Sequence, residues 1–176
     1  MGIDLAAAGG EGMKVHIIGI AGSGKTTLAR WISSAFEIPA FDLDHVVYGD
    51  EGGERPAGEI VPRIDEIRAD NGWVTEGAYR NEWLRPLLDD ATAIVWLDPS
   101  LPTAVARMLK RHARAELSRN NPHPGWGRLI RFLDYNRRTA RQQRAETAGL
   151  LACYSHKVFR CRTSRDVASF KLRIRK

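Results

Sequence analysis

Cysteine is scarce in this chain of 176 residues: Cys153 and Cys161 are the two present. Two cysteines cannot build a disulfide scaffold, and no pair of CxxC elements points to zinc. Both read as small buried apolar residues, and a reduced, cytoplasmic setting is expected. Long apolar runs are also missing, because nothing approaches the roughly 18 residues that a membrane span requires. The opening MGIDLAAAGGEG lacks the basic start and apolar stretch of a signal peptide, and Ala6 stands where myristoylation needs Ser or Thr. Residues 1–12 are expected to be a disordered leader and residues 13–176 a single domain. The five histidines His16, His45, His112, His123 and His156 show no HxxxH or HExxH spacing, which leaves no histidine-based metal centre or triad. With 43% apolar and 8% aromatic residues, the chain is too hydrophobic to be disordered and too polar for a membrane protein. A soluble domain, expected as a monomer with no membrane partner, remains.

The formal charge of +6 points first to an anionic partner. Its distribution is more informative. Residues 1–106 carry 8 basic and 17 acidic side chains, net −9; residues 107–144 carry 11 and 2, net +9; residues 145–176 carry 8 and 2, net +6. An arginine-rich helix surface bathed in solvent is the plain explanation for the middle segment.

KVHIIGI at 14–20 is a short β-branched run ending in glycine, as in a buried parallel strand. Helices are expected over 25–36, 60–69, 82–88, 103–116, 129–151 and 167–171, and strands over 38–41, 73–75, 93–97 and 157–161. Pro102 suits a first helical turn. RNNPHPGWG at 119–127 reads as a loop or hinge. Alternating strands and helices predict an α/β domain in three layers, a five-stranded parallel sheet with helices on both faces.

Gly19-Ile20-Ala21-Gly22-Ser23-Gly24-Lys25-Thr26 fits GxxxxGK(S/T) between an expected strand and an expected helix. Such a loop must curl until its N–H groups point inward at phosphate oxygens, which a Cβ would obstruct. The following helix aims its N-terminal partial charge at the same place. Gly19, Ala21, Gly22, Ser23, Gly24, Lys25, Thr26 and Thr27 are therefore candidate ATP contacts. Lys25 is placed to reach the β and γ phosphates, and Thr26 to ligate Mg²⁺. No NKxD or LSGGQ element directs the reading to a GTPase or a transporter ATPase, and phosphoryl transfer to a small acceptor is favoured.

Asp42 and Asp44 follow the second expected strand, and a period of two places both carboxylates on one face; the alternative is a pair of helix caps. Asp98 ends the most apolar strand, as either a metal-orienting acid or a strand-ending turn residue. Arg107, Arg111 and Arg114 share one helical face at i, i+4, i+7, and Arg137, Arg141 and Arg144 repeat the spacing after the loop. Arginine suits phosphate because its planar fork binds oxygens in pairs and stays charged. Trp31, Trp73 and Trp96 are expected in the core, and Trp83 and Trp126 at the acceptor site or lid. Between 45 and 72 the acidic residues argue against a highly anionic acceptor, whereas Arg55, Arg63 and Arg68, with Arg80, argue for one.

GIAGSGKTTLAR at 19–30, FDLDHVVYG at 41–49, WVTEGAYR at 73–80, AIVWLDPS at 93–100, ARMLKR at 106–111 and CRTSRDV at 161–167 together resemble the adenylate-kinase-like branch of P-loop kinases. The nearest resemblance is to bacterial topology modulation proteins, and the DxD at 42–44 resembles that of shikimate-type small-molecule kinases. The resemblance implies an ATP- and Mg²⁺-dependent phosphotransferase acting on a nucleoside monophosphate or another small acceptor. It implies Asp44 as base or positioner at the acceptor hydroxyl, Asp42 beside it at metal or acceptor, Glu76 as the acid that orients Mg²⁺, and Arg80 as a grip on the acceptor. It further implies Arg107, Arg111, Arg137 and Arg141 on the transferring phosphates, residues 45–72 as acceptor module, 113–128 as lid, and Ser164 and Arg165 beside adenine. The competing reading is an ATP-binding regulatory or nucleic-acid-associated P-loop protein whose basic part grips a phosphate backbone.

Overall fold

The computed structural model describes residues 12–49, 53–117 and 126–174. Among these, five strands form one parallel sheet: β1 (Lys14–Gly19), β2 (Ala40–Asp42), β3 (Trp73–Gly77), β4 (Ala93–Leu97) and β5 (Val158–Cys161), in the order β2-β3-β1-β4-β5. The helices are α1 (Lys25–Phe36), α2 (Leu43–Val47), α3 (Ala57–Ala69), α4 (Arg85–Asp90), α5 (Leu101–Leu117), α6 (Trp126–Leu151) and α7 (Ser164–Arg173).

The strands alternate their side chains between two cores. Val15, Ile17, Val74, Val95 and Leu97 face α1 and α7, where Leu28, Ile32 and Phe170 close the layer. Ile18, Ile94 and Trp96 face the other way, against Ile60 and Ile64 of α3, Leu87 of α4 and Leu151 at the end of α6. Each fully buried aliphatic side chain of this kind contributes roughly 1.5–3 kcal/mol. Both faces being covered explains why the strands read as unbroken apolar runs.

Most expected elements stand within a few residues of their places. Expected helix 82–88 is instead a short 3-10 turn, Glu82–Leu84, leading into α4 with Pro86 in its first turn. The helix α2 was not anticipated; Asp42 caps it through a bond from the Asp44 amide at 2.9 Å. The expected lid at 113–128 is partly helix, because α5 runs through Leu117 and α6 begins at Trp126. The remainder of that lid, 118–125, and all of the expected leader except Gly12 lie outside the described residues. No described helix is long and apolar enough to cross a membrane.

Chain order crosses the sheet at β1. β2 and β3 lie on one side of it, β4 and β5 on the other, and the crevice at the carboxyl ends near such a crossing is where open α/β sheets bind ligands.

His16 on β1 is wholly buried and its Nδ1 lies 2.9 Å from the Thr75 hydroxyl of β3. Burial, assisted by the nearby Lys25 charge, lowers its pKa from 6.5 to about 3, so the fold holds the ring neutral while the unfolded chain protonates it. Stability from this site is complete above pH 6.5 and falls as the pH drops towards 3. In denaturant melts between about pH 7 and pH 4, the native sequence is expected to lose on the order of a few kcal/mol more than His16→Gln; identical acid slopes would exclude His16 as the cause.

Candidate active site

β1 ends in the phosphate-loop sequence, whose curvature depends on glycines at positive φ. Gly22 has φ +74°, and a Cβ there would lie 2.5 Å from the Ala104 carbonyl and 2.8 Å from Met108 Cγ of α5. Gly24, at φ +102°, is the N-cap of α1. It provides no side-chain cap, and the first turn of α1 holds no acid. The amide end of this 12-residue helix is thus left for an anion.

The loop opens into a cavity of about 1130 Å³. Ala21, Gly22, Gly24, Lys25, Thr26 and Thr27 line it; Gly19 and Ser23 do not. Ser23 is buried behind the loop, and its carbonyl accepts a hydrogen bond from Arg107 Nη1 at 2.8 Å, tying α5 to the loop.

Strand register levels the remaining groups with the loop. Ile17 of β1 pairs with Glu76 of β3, which pairs in turn with Asp42 of β2. Glu76 is 4% exposed and its Oε1 has no hydrogen-bond partner. Burial raises its pKa, as do Asp42 and Asp44, while a hydrogen bond with the Thr26 side chain and the charge of Lys25 pull it down. Lys25 is affected conversely: burial lowers its pKa, Glu76, Asp44 and Asp42 support its charge, and Arg111 opposes it. Lys25, Thr26, Glu76 and the DxD carboxylates therefore form one electrostatic unit.

Asp44 is held from the side. The Tyr79 hydroxyl donates to its Oδ1 at 2.7 Å, and the Tyr79 ring packs on Trp83 with centroids 5.3 Å apart. Burial and this bond push the phenol well above its ordinary pKa, keeping it a donor. Arg80 is also fixed: Nε donates to Thr147 of α6 at 2.9 Å, Nη1 to the Ala78 carbonyl at 3.0 Å, and Glu146 lies 3.9 Å away. Its Nη2 is buried without a partner.

The two arginine-bearing helices differ. Arg107, Arg111 and Arg114 of α5 line the cavity. Arg137 and Arg141, expected beside them, do not. At 100° per residue the 137/141/144 stripe lies on the opposite side of α6 from Tyr135, Thr139, Gln142 and Glu146, which do line the cavity. Arg137 is 74% exposed beside Asp134, and Arg144 donates to Asp98 at 2.6 Å. Helical spacing identified a shared face but not its direction.

Asp98 is occupied in the same way. Arg144 holds its Oδ1 and Arg160 its Oδ2, and the Arg160 guanidinium stacks 4.0 Å from the Trp96 ring. With both oxygens engaged, it is a clamp joining α6 to the ends of β4 and β5; of the two candidate acids, Glu76 is the one facing the cavity with an unpartnered oxygen.

A neighbouring cavity of about 660 Å³ is lined by Asp98, Arg107, Arg162 and Ser164 among others; Arg165 does not line it. Trp31 packs against the core, Trp73 and Trp96 are in it, and Trp83 packs on the Tyr79 ring. Trp126 is 54% exposed and edge-on to His112. Sequence reasoning missed Tyr79 and the amide-bearing face of α6. The signal for the latter was present, since Asn136, Thr139, Gln142 and Gln143 fall at helical spacing within an arginine-rich run.

No family model matches the chain. It is 27% identical over 140 residues to a shikimate kinase of Thioalkalivibrio sulfidiphilus, covering 68% of this chain and 70% of that protein. It is 27% identical over 130 residues to a shikimate kinase of Rhizobium meliloti, covering 65% and 67%. Among solved structures, the shikimate kinase of Acinetobacter baumannii in complex with shikimate superposes with a TM-score of 0.56 at 17% identity, over 93% of each chain. A gluconokinase from Sinorhizobium meliloti gives a TM-score of 0.45 at 18% identity, over 57% of this chain and 65% of that one, under two thirds of its length. In sequence and fold this chain is P-loop kinase-like, and the proteins it resembles are small-molecule kinases.

Proposed function

We propose that this protein is an ATP- and Mg²⁺-dependent phosphotransferase that moves the γ-phosphoryl group of ATP to a small-molecule acceptor, working as a cytoplasmic monomer. The observation that carries this reading is the convergence of Lys25, the open amide end of α1, Glu76 and Asp44 on one cavity at the strand ends. Phosphoryl transfer needs little covalent help from a protein; it needs phosphates positioned and their charge offset, and this constellation is suited to both.

In this reading the loop amides and Lys25 grip the phosphates, and Arg107, Arg111 and Arg114 approach from α5. The carboxylate of Asp44, steadied by Tyr79, orients the acceptor hydroxyl and takes its proton. No group of three or more His, Cys, Asp or Glu among the described residues is arranged to cage a metal. Mg²⁺ does not require one, since it binds through one or two carboxylates, phosphate oxygens and water. Thr26, Asp42 and the unpartnered Oε1 of Glu76 fit that requirement, and the ion would supply neutralisation of phosphate charge. Ser164 lines the smaller cavity, which shares Arg107 with the larger one and suits the nucleotide base. The motif strings resembling adenylate-kinase-like and topology modulation proteins are the one argument for a nucleoside monophosphate acceptor, whereas the relatives named above are shikimate kinases.

The outward stripe of Arg137 and Arg141 favours the alternative, a nucleic-acid-associated ATP-binding protein; Arg107, Arg111 and Arg114 favour the kinase. Binding to duplex DNA or RNA that weakens steeply between low and moderate salt would support the alternative.

Lys25→Ala is expected to lower acceptor-dependent ADP release by a factor on the order of 10²–10³, as loss of one charge-stabilising donor does elsewhere. ADP release unchanged by the substitution would overturn the reading.

Glu76→Gln is expected to abolish most activity while stabilising the ligand-free protein. Because burial raises the Glu76 pKa, the native chain loses stability as the pH rises through that raised value, and glutamine does not. The melting temperature of the variant should exceed that of the native chain by roughly 2–4 °C per kcal/mol gained, at neutral pH but not in acid. A variant that is less stable at neutral pH would contradict this account of Glu76.

A further inference from the structure

We propose that the phosphoryl acceptor is an uncharged, ring-sized polyhydroxy compound rather than a phosphorylated or carboxylated one; this inference rests on the phosphotransferase reading above. Charge in the cavity is divided by wall. The loop, α1 and α5 contribute its cations, with Lys25 and Arg111 close enough to influence each other's charge. Among the described residues, the walls built by β2, α2, β3 and α6 contribute Asp42, Asp44, Glu76 and Glu146, and a single cation, Arg80.

A bound phosphate ester is typically gripped by a free arginine fork or a pair of them. Of the arginines that the sequence offered for an anionic acceptor, Arg55, Arg63 and Arg68 do not line the cavity, and Arg80 does. Arg55 donates to the carbonyls of His45, Val46 and Tyr48, closing the end of α2. Arg63 donates to the Glu59 carbonyl within α3, and Arg68 is paired with Asp65 and Asp90. Arg80 has given Nε and Nη1 to Thr147 and Ala78, so Nη2 is left for one contact rather than a two-pronged grip. With Glu146 beside it, Arg80 presents a donor for a hydroxyl or ring oxygen more than a seat for a dianion.

The α6 wall supports the same conclusion. Thr139, Gln142 and Gln143 are tied along the helix, the Thr139 hydroxyl donating to the Tyr135 carbonyl at 2.9 Å, Gln143 Nε2 to the Thr139 hydroxyl at 2.7 Å and Gln142 Nε2 to Glu146 at 2.8 Å. This leaves the amide carbonyls of the two glutamines as acceptors for hydroxyl groups, and Tyr135 and Phe132 bring aromatic surface. Amides beside aromatic rings match a compound with hydroxyls on its edge and C–H groups on its faces. The reaction balances simply: an acceptor hydroxyl oxygen forms a bond to the γ-phosphorus, the bond from that phosphorus to the β–γ bridging oxygen breaks, ADP leaves, and the hydroxyl proton passes to Asp44.

The test uses matched pairs differing in charge: glucose with glucose 6-phosphate, adenosine with AMP, and methyl shikimate with shikimate. Initial rates of ADP release are measured with Mg²⁺ and ATP. Binding is measured by calorimetry on protein loaded with a non-hydrolysable ATP analogue. The uncharged member of at least one pair is expected to exceed its charged partner by about tenfold or more in kcat/KM and in affinity, since like-charge juxtaposition costs at least that much. Preference for the charged members, equal use of both, or failure of every uncharged compound to bind the loaded protein would overturn the proposal. Turnover confined to charged members would still leave the kinase reading intact, whereas absence of both analogue binding and ADP release with any acceptor would remove the kinase reading itself. Glu146→Gln, at an exposed position, is expected to narrow the discrimination by roughly tenfold at unchanged analogue affinity. An unchanged ratio would overturn the electrostatic basis of the preference.

Discussion

The parallel register of β2, β3 and β1 is the constraint on which the rest of the molecule depends. Because Asp42 is level with Glu76, and Glu76 with Ile17 two residues before the end of β1, three strand ends deliver two carboxylates and the phosphate loop to one line. A slip of one residue in any pairing would turn Glu76 into the opposite core layer. Fifteen or more buried aliphatic side chains on the two faces oppose such a slip, so the geometry of the cavity is fixed by packing that takes no part in it. The same alternation that puts Val74 against α1 and Trp73 against α3 carries Glu76 to the α1 side, where Thr26 and Lys25 meet it.

α6 divides the two kinds of polar chemistry in this protein. Its buried strip, with Ala140 and Thr147, lies against the body. To one side Thr139, Gln142 and Glu146 face the cavity; to the other Arg144 joins Arg160 on Asp98. Asp98 is buried, and leaving its charge without a partner is costly, so the clamp formed by Arg144 and Arg160 holds the helix in rotation as well as in place. The rotation decides which side chains reach the cavity: Thr139, Gln142 and Gln143 do, and Arg137 and Arg141 do not.

How much of this was legible in the sequence follows from the range of the interactions concerned. The phosphate loop, α1 and the strand β4 were readable because glycine spacing and apolar runs act within a few residues. Asp42 is a helix cap, as its plainer reading had it, and it also lines the cavity. Arg137 and Arg141 misled because periodicity reports that residues share a face, while the facing direction is set by Asp98, some forty residues away. Tyr79 escaped notice because its partner Asp44 lies 35 residues earlier and is brought beside it by β2 and β3 pairing. Arg55 and Arg68 looked like ligand contacts until tertiary structure supplied the α2 carbonyls and Asp90.

Among the described residues, unmet hydrogen-bonding capacity is found both in the sheet, at His16 Nε2 and Trp73 Nε1, and around the loop and the cavity. Ser23 Oγ behind the loop, Glu76 Oε1 beside Lys25 and Arg80 Nη2 near α6 are all buried without partners. Each such group costs roughly 1–3 kcal/mol relative to a paired one, and a domain of this size has a total stability of only about 5–15 kcal/mol. Burial of that much unpaired polarity is tolerable in the ligand-free protein because the two apolar layers are nearly continuous elsewhere. It becomes favourable when a ligand supplies the missing partners, since the groups are already oriented and dehydrated before binding. Glu76 Oε1 and Arg80 Nη2 belong both to the polar defects of the fold and to its proposed chemistry, so at these two atoms the unpaired polarity is capacity that a ligand can use.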